Sequence, residues 1–385
     1  MTAKFLLPLL SVGVFYAIFY FAEVNGAHKL ASDSVTTGRL PGSDAPLRKV
    51  YTGVGPLDEL LTVLVVFFWP ATDGSHLSLL VHSIGFSGTF GSAWVLICLE
   101  SWRRGNAWTA VAFSVVFGLT AQVLTIAFAG SLYCAIQLFT SVTALSPTAE
   151  NIRVPRAVLK ALPVVFVIGF MVPTGLLLIP VSEQVTTDLK QIFIALWQPW
   201  PAYVSIILTI VHVVFSPFTT NDHSVEGGRA TLRSFRWVYA FAFGHAALSH
   251  IISWTIPLAT VATPWLFKEE YLEALHPLAV FDIPKPWETP VLVENLGAGV
   301  HAFLRWDYLI SSAGILIWAL TLYQNAHWVV YGRAGCIGLF AKAAALTVVA
   351  GPVGAAVELI WERDELVINE LGGLKRVAPS GKKMA

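Results

Sequence analysis

Long apolar runs separated by short polar connections dominate the chain. A hydrocarbon layer of roughly 30 Å asks for about 20 apolar residues per helix, and runs near that length recur. The first extends from Phe5 to Ala22 behind Lys4. It exceeds the about 7–15 residues of a signal-peptide core, and Glu23-Val-Asn-Gly-Ala27 is a poor cleavage site, so a retained anchor is favoured over a cleaved signal. After a polar loop at Gly26–Val50 come Leu57–Trp69, stopped by Pro70, and Leu77–Leu99, which ends at Glu100 beside Arg103 and Arg104. Trp108–Leu145 is too long for one crossing and reads as two helices meeting near Leu124–Gly130, though no turn signal marks the join. Ala157–Ile179 follows, with kinks expected at Pro163 and Pro173. Trp200–Phe215, Trp237–Pro257, Trp306–Tyr323 and Ile337–Trp361 bring the total to nine or ten spans.

The alternating pattern of a barrel strand is absent. The expected fold is all-α, a polytopic transmembrane helical bundle. Residues 1–25 form an anchor or signal, 26–56 a polar loop, 57–365 the bundle and 366–385 a polar tail. The longest hydrophilic connection, Lys268–Arg305, leaves no room for a soluble catalytic domain, and no internal repeat is visible. Basic residues gather at Lys29, Arg39, Arg48 and Lys49, at Arg103 and Arg104, at Arg153 and Arg156, and at Arg229, Arg233 and Arg236. Read as alternate loops, all four groups fall on the cytoplasmic side. Ten spans would then put Lys375, Arg376, Lys382 and Lys383 on the wrong side, which leaves the topology open.

Composition agrees with the pattern. Of 385 residues, 56% are hydrophobic and 12% charged, against roughly 25% charged in an average globular chain; the mean hydropathy is +0.68. Net charge is +0, which excludes a basic nucleic-acid footprint and an acidic solvating tail. Cys98, Cys134 and Cys336 lie in apolar stretches, so neither a disulfide framework nor a zinc cluster is expected. Histidine boxes, aspartate-rich diphosphate motifs, a phosphate loop, a dinucleotide fingerprint and H-E-x-x-H are all missing. Gly85-Phe-Ser-Gly88 has the wrong spacing for a nucleophile elbow, and the Asp-x-Asp-Asp acid of soluble protonating cyclases is absent. Chemistry without a metal or cofactor, transport, or a binding role remains.

Acidic groups at membrane depth cost roughly 2.5–3.5 kcal/mol or more, so each is a functional candidate. Here they are Asp58, Glu59, Asp73, Glu100, Asp307, Glu358 and Glu362. Each has a structural alternative. Asp58 or Glu59 can favour a helix N-terminus, Asp73-Gly74 a turn, Glu100 a pair with Arg103 or Arg104, and Glu362 an interfacial charge cluster. Asp307 stands apart because Asp307, Ser311, Gly314 and Trp318 share one helical face, a stripe suited to a pocket wall. A carboxyl in apolar surroundings stays neutral and can donate a proton. Phe67, Phe68, Trp69, Trp306 and Tyr308 neighbour these acids and are expected to contact substrate, whereas Trp108, Trp200, Trp237 and Trp328 suit an interfacial belt. His82 shares a face with Ser78, Phe86 and Thr89 and is a candidate substrate contact; for it, as for His245 and His250 beside Ser249 and Ser253, a neutral histidine hydrogen-bonded between helices is favoured over a catalytic role. The Gly85, Gly88, Ser92 row suits close helix packing.

Several motifs resemble fungal membrane-bound terpene cyclases of meroterpenoid pathways, the type that cyclises farnesylated aromatic precursors of macrophorin and ascofuranone-like compounds. They are Phe67-Phe-Trp-Pro-x-x-Asp73-Gly, Leu99-Glu100-x-x-Arg103, His276-Pro, Trp306-Asp307-Tyr308 and Gly351-Pro followed by Trp361-Glu-Arg-Asp-Glu365. The resemblance implies protonation of the terminal epoxide or olefin of a lipophilic prenylated substrate, ring closure through a carbocation, no metal or nucleotide, and residence in the endoplasmic reticulum membrane beside pathway enzymes. It transfers no catalytic residue, so Asp307, Asp58, Glu59, Asp73 and Glu362 rest on chemistry alone. The rival readings are a transporter of a small lipophilic metabolite and a non-enzymatic membrane scaffold.

Overall fold

A computed structural model describes residues 2–219, 225–333 and 338–371; Cys336 and the basic tail from Lys375 to Lys383 lie outside them. Twelve helices organise the described residues: α1 Thr2–Val24, α2 Ala27–Thr37, α3 Gly55–Thr72, α4 Leu77–Ser101, α5 Ser114–Leu124, α6 Ile126–Thr140, α7 Arg156–Leu178, α8 Thr187–Trp197, α9 Trp200–Phe218, α10 Val225–Ala262, α11 Leu296–Tyr331 and α12 Gly338–Leu371. No strand forms among them. Helix α2 occupies part of the expected polar loop, set between Gly26 (φ 84°) and Gly38 (φ 67°), both in the left-handed region that glycine tolerates. The last helix runs on to Leu371, past the expected end of the bundle at residue 365.

Seven of these helices are long and apolar enough to cross a membrane: α1, α3, α4, α7, α9, α11 and α12. The expected nine or ten spans are not confirmed among the described residues, and the reasons are local. Helices α5 and α6, of 11 and 15 residues, fall short of the roughly 20 residues a crossing takes, and they turn back on each other at Thr125. The rings of Phe117 and Tyr133 lie 5.1 Å apart, and the Tyr133 hydroxyl donates to the Val111 carbonyl at 3.2 Å. Helix α10 carries His245, Ser249, His250 and Ser253 through its middle, which dilutes its apolar character. Helix α12, one of the seven by length and composition, is itself a second fold-back. Its backbone leaves the helical region at Gly351 (φ 73°, ψ 169°), and Lys342 bonds Glu362 across 20 residues, a separation of about 30 Å in a straight helix.

The core gathers around α4, α10, α11 and α12. Close approach of α4 and α10 depends on missing side chains: a Cβ on Gly88 would lie 2.2 Å from Ser249 Cβ. Beside it, the Ser92 hydroxyl donates to the Ala242 carbonyl at 2.8 Å. Trp200, expected at an interface, is instead fully buried against Phe90, Trp94 and Phe170; Trp108, Trp237 and Trp328 are exposed. Cys98 and Cys134 are buried free thiols.

At one end of the bundle four buried charges meet. Arg103 bonds Glu100, donates to Asp364 at 2.9 Å and to the Ile152 carbonyl at 2.7 Å. Arg363 donates to Asp364 at 2.8 Å and to the Thr143 carbonyl at 2.6 Å. The Tyr239 hydroxyl reaches Asp364 at 2.6 Å, and Gln137 reaches Glu100 at 2.9 Å. Two guanidinium groups thus balance two carboxylates and tie the open ends of both fold-backs to α4 and α10. Of the two partners expected for Glu100, Arg103 takes it and Arg104 pairs with Glu150.

The ends also separate the basic groups. Arg103, Arg153 and Arg156 sit at the N-terminal end of α7. Arg48 pairs with Asp188, and the neighbouring Lys190 donates to the Leu177 and Ile179 carbonyls at the opposite end of α7. The expectation that all four basic groups share one side therefore fails for Arg48 and its neighbours, which lie at the other end of α7 from Arg103 and Arg153; the α5–α6 fold-back returns to the end it left and keeps Arg103 and Arg153 together.

Candidate functional site

A cavity of about 600 Å³ opens between α1, α2, α3, α4, the α5–α6 tip, α7 and α11. Its wall is mostly apolar and aromatic. Phe67 and Phe68 of α3 pack edge-on at 5.1 Å, and Phe67 meets Phe303 of α11 at 4.9 Å. Phe86 and Phe90 from α4 and Phe170 from α7 complete the aromatic lining. Glu23 and His28 reach the cavity from the α1–α2 turn, joined at 2.5 Å and largely exposed.

Asp307, Gln122 and Thr125 converge on the same wall. Asp307 is 4% exposed and sits beside the N-terminus of α6. The Ala127 amide donates to its Oδ1 at 2.7 Å, and the Ile126 amide and Thr125 hydroxyl also face its carboxyl. The first amides of a helix lack intrahelical partners and carry the positive end of its dipole, so they stabilise a carboxylate placed there. Thr125 itself accepts a hydrogen bond from the Phe128 amide at 3.3 Å. Gln122, one turn earlier, is buried, and its Nε2 has no hydrogen-bond partner.

Of the residues expected to act on substrate, Asp307, Phe67 and Phe68 line this cavity. The other four acids lie elsewhere. Asp58 accepts from the Tyr51, Thr52 and Gly53 amides at 3.0, 2.7 and 3.0 Å and from the Thr52 hydroxyl at 2.9 Å, which fixes the loop entering α3. Burial among these groups raises the Tyr51 phenol above its ordinary pKa, with Arg48 opposing. Glu59 is exposed. Asp73 closes a turn by accepting from the Ser75 amide and hydroxyl, and Glu362 pairs with Lys342 inside the second fold-back.

The remaining aromatic candidates form a layer away from the wall. Trp69 is buried in the core. His82 lies behind the lining Phe86, 5.3 Å from His301 and 5.7 Å from Tyr308 by ring centroids. Trp306 donates to the Pro284 carbonyl at 2.8 Å. The stripe below Asp307 faces α6 rather than the cavity. A Cβ on Gly314 would lie 2.7 Å from the Ser131 hydroxyl, and Trp318 donates to Gln137 at 2.9 Å. Thr125, Gln122, Glu23 and His28 went unnoticed in the sequence; a glutamine and a threonine inside an apolar run were the only trace of the first two. Among the described residues, no group of three or more His, Cys, Asp or Glu is placed to hold a metal ion.

The profile of the CtvD domain matches residues 3–368. Terpene cyclase ctvD of Aspergillus terreus is 32% identical, over 95% of this chain and 99% of its own length. Terpene cyclase penA of Penicillium crustosum is 28% identical, over 92% and 94%, and terpene cyclase ascI of Acremonium egyptiacum is 28% identical, over 90% and 87%. No solved structure matches.

Proposed function

This chain belongs to the CtvD-domain family, and from that premise we propose that it is a membrane-embedded terpene cyclase of fungal meroterpenoid biosynthesis. Its substrate is a farnesylated aromatic compound, and its seat is the endoplasmic reticulum membrane. The observation that carries this reading is the placement of one buried carboxyl, Asp307, on the wall of an otherwise apolar, aromatic cavity. A volume of about 600 Å³ lies within the roughly 300–1,000 Å³ of ordinary ligand sites.

The chemistry follows from the wall. The carboxyl proton of Asp307 passes to the terminal epoxide oxygen, or to the terminal olefin, of the prenyl chain. With an epoxide, the C–O bond to the more substituted carbon breaks, and the π pair of the next double bond closes the ring. Loss of a proton or capture by a hydroxyl ends the cation, so product and substrate have the same formula. Neither metal nor nucleotide takes part. The amides at the α6 N-terminus already point at the carboxylate left behind, so no reorganisation accompanies the transfer. Ring faces of Phe67, Phe68 and Phe303 stabilise the cation, and the Glu23–His28 pair receives the polar aromatic head.

Microsomes carrying the chain, incubated with a farnesylated phenol and with its terminal epoxide in the presence of a chelator, test the proposal. A product of unchanged mass and new retention time is expected, and lost in Asp307→Asn. Well-folded protein that returns both compounds unchanged would overturn it.

A further inference from the structure

Both fold-backs reverse direction through one residue with positive φ and extended ψ: Thr125 at φ 76°, ψ 156° and Gly351 at φ 73°, ψ 169°. Glycine enters that region without strain, whereas a β-branched residue is strained there. Among the described residues only Trp108 and Thr125 hold positive φ without being glycine. Trp108 is 93% exposed in a loop; Thr125 is buried. The second tip shows that this reversal can be built on glycine, so the threonine calls for another reason than the turn.

That reason is on the cavity wall. The Thr125 hydroxyl accepts the Phe128 amide, which leaves its own proton for the Asp307 carboxyl that it faces. The backbone angles of Thr125 set the direction of the next amides, and the Ala127 amide reaches Asp307 Oδ1 at 2.7 Å. Gln122, on the same tip, presents a carboxamide whose Nε2 no protein group satisfies. The tip is therefore built toward an occupant of the cavity as well as toward its own helix.

We propose that Thr125 is a positioning residue: its strained backbone and its hydroxyl together hold the Asp307 carboxyl in the orientation that presents its proton to the cavity. The proposal rests on the reading of Asp307 as proton donor. The Ala127 amide bond to Oδ1, with the Thr125 hydroxyl facing the carboxyl, restricts rotation about Cβ–Cγ. After transfer, the same donors hold the carboxylate.

Thr125→Gly, Thr125→Ala and Thr125→Ser in the full chain test it. Thr125→Gly relieves the strain, so its thermal midpoint is expected to stay or rise. Its kcat for the epoxyfarnesylated phenol is expected to fall about 10–100-fold, with KM within about threefold, as misplacement of a reacting group predicts. Thr125→Ser keeps the hydroxyl and is expected to retain most of kcat, whereas Thr125→Ala is not. A stable Thr125→Gly enzyme with wild-type kcat would overturn the proposal; should the glycine variant fail to fold, equal kcat in the serine and alanine variants would do so. A readout that needs no turnover is the infrared band of the Asp307 carboxyl, assigned by its loss in Asp307→Asn. It is expected to shift in Thr125→Gly, and an unmoved band contradicts the proposal. If the wild type converts nothing, the cyclase reading falls, while this band still decides whether Thr125 orients Asp307.

Discussion

The two fold-back tips solve one geometric problem with different residues. At Gly351 the chain reverses on glycine against the ring of His250, and a Cβ there would lie 3.1 Å from His250 Nδ1. At Thr125 it reverses on a β-branched residue beside a buried carboxyl and a cavity. Strain of this kind costs on the order of 1–3 kcal/mol and persists only where the surroundings over-determine it. The Gly351 tip is a packing joint. At the Thr125 tip, backbone amides, a hydroxyl and a carboxamide converge on one wall, as a site that handles charge would require.

The sharpest way to break this contrast is Asp307→Asn. The carboxamide keeps the shape and still accepts from the Ala127 amide through its carbonyl, but it has no acidic proton. General-acid assistance is worth about 10²–10⁴-fold, and kcat is expected to drop by that factor with the thermal midpoint unchanged. Near-wild-type turnover would make Asp307 a cap for α6 and put the two tips on the same footing. Next in size is Glu100→Gln, which strikes the clamp that both fold-backs share. Glu100 is fully buried against Arg103 and Arg363, and removing one partner of a buried ion network costs about 3–5 kcal/mol. A large fall in thermal midpoint is expected, with loss of folded protein; a mild effect would mean that water reaches this cluster.

How far the sequence disclosed this arrangement varies with the kind of signal. Helix α4 was legible because its run is apolar throughout and ends in a charge that must find a partner. The join near Leu124–Gly130 was legible from length alone, but not its tip, because Leu124-Thr125-Ile126 contains no turn chemistry. At the other tip the signal was present and unread: Gly351-Pro352 interrupts an apolar run, yet the run was counted as one span. Spacing placed Asp307 on a helical face with Ser311, Gly314 and Trp318 without saying what faced it, and α6 occupies most of that face. Asp58 resembled Asp307 by residue type. Only the four donors of the neighbouring loop separate a carboxylate that fixes structure from one that opens on a cavity.

Gly351→Ala tests the packing side of the contrast. A methyl at φ 73° and 3.1 Å from His250 Nδ1 is expected to destabilise the fold by about 1–3 kcal/mol, read as a lower thermal midpoint, while turnover per folded molecule stays at the wild-type value. A loss of kcat without loss of stability would show that the second tip also reaches the chemistry. This is the converse of the outcome expected for glycine at position 125.

The smallest effect, and the one that sharpens the contrast most finely, is expected from Gln122→Leu. Its Nε2 is buried without a partner, and an unsatisfied buried group of that kind costs roughly 1–3 kcal/mol. Leucine removes the penalty at similar volume, so the empty protein is expected to hold its thermal midpoint or gain slightly. Binding moves the other way. If the carboxamide meets an oxygen of the bound prenyl terminus, its loss raises KM for the epoxide by about tenfold, which corresponds to roughly 1.4 kcal/mol, and leaves KM for the olefin unchanged. Opposite signs for stability and binding would identify a residue kept for its ligand. Equal KM values for both substrates would return Gln122 to the structure of α5 and leave Thr125 and Asp307 as the chemical part of the tip.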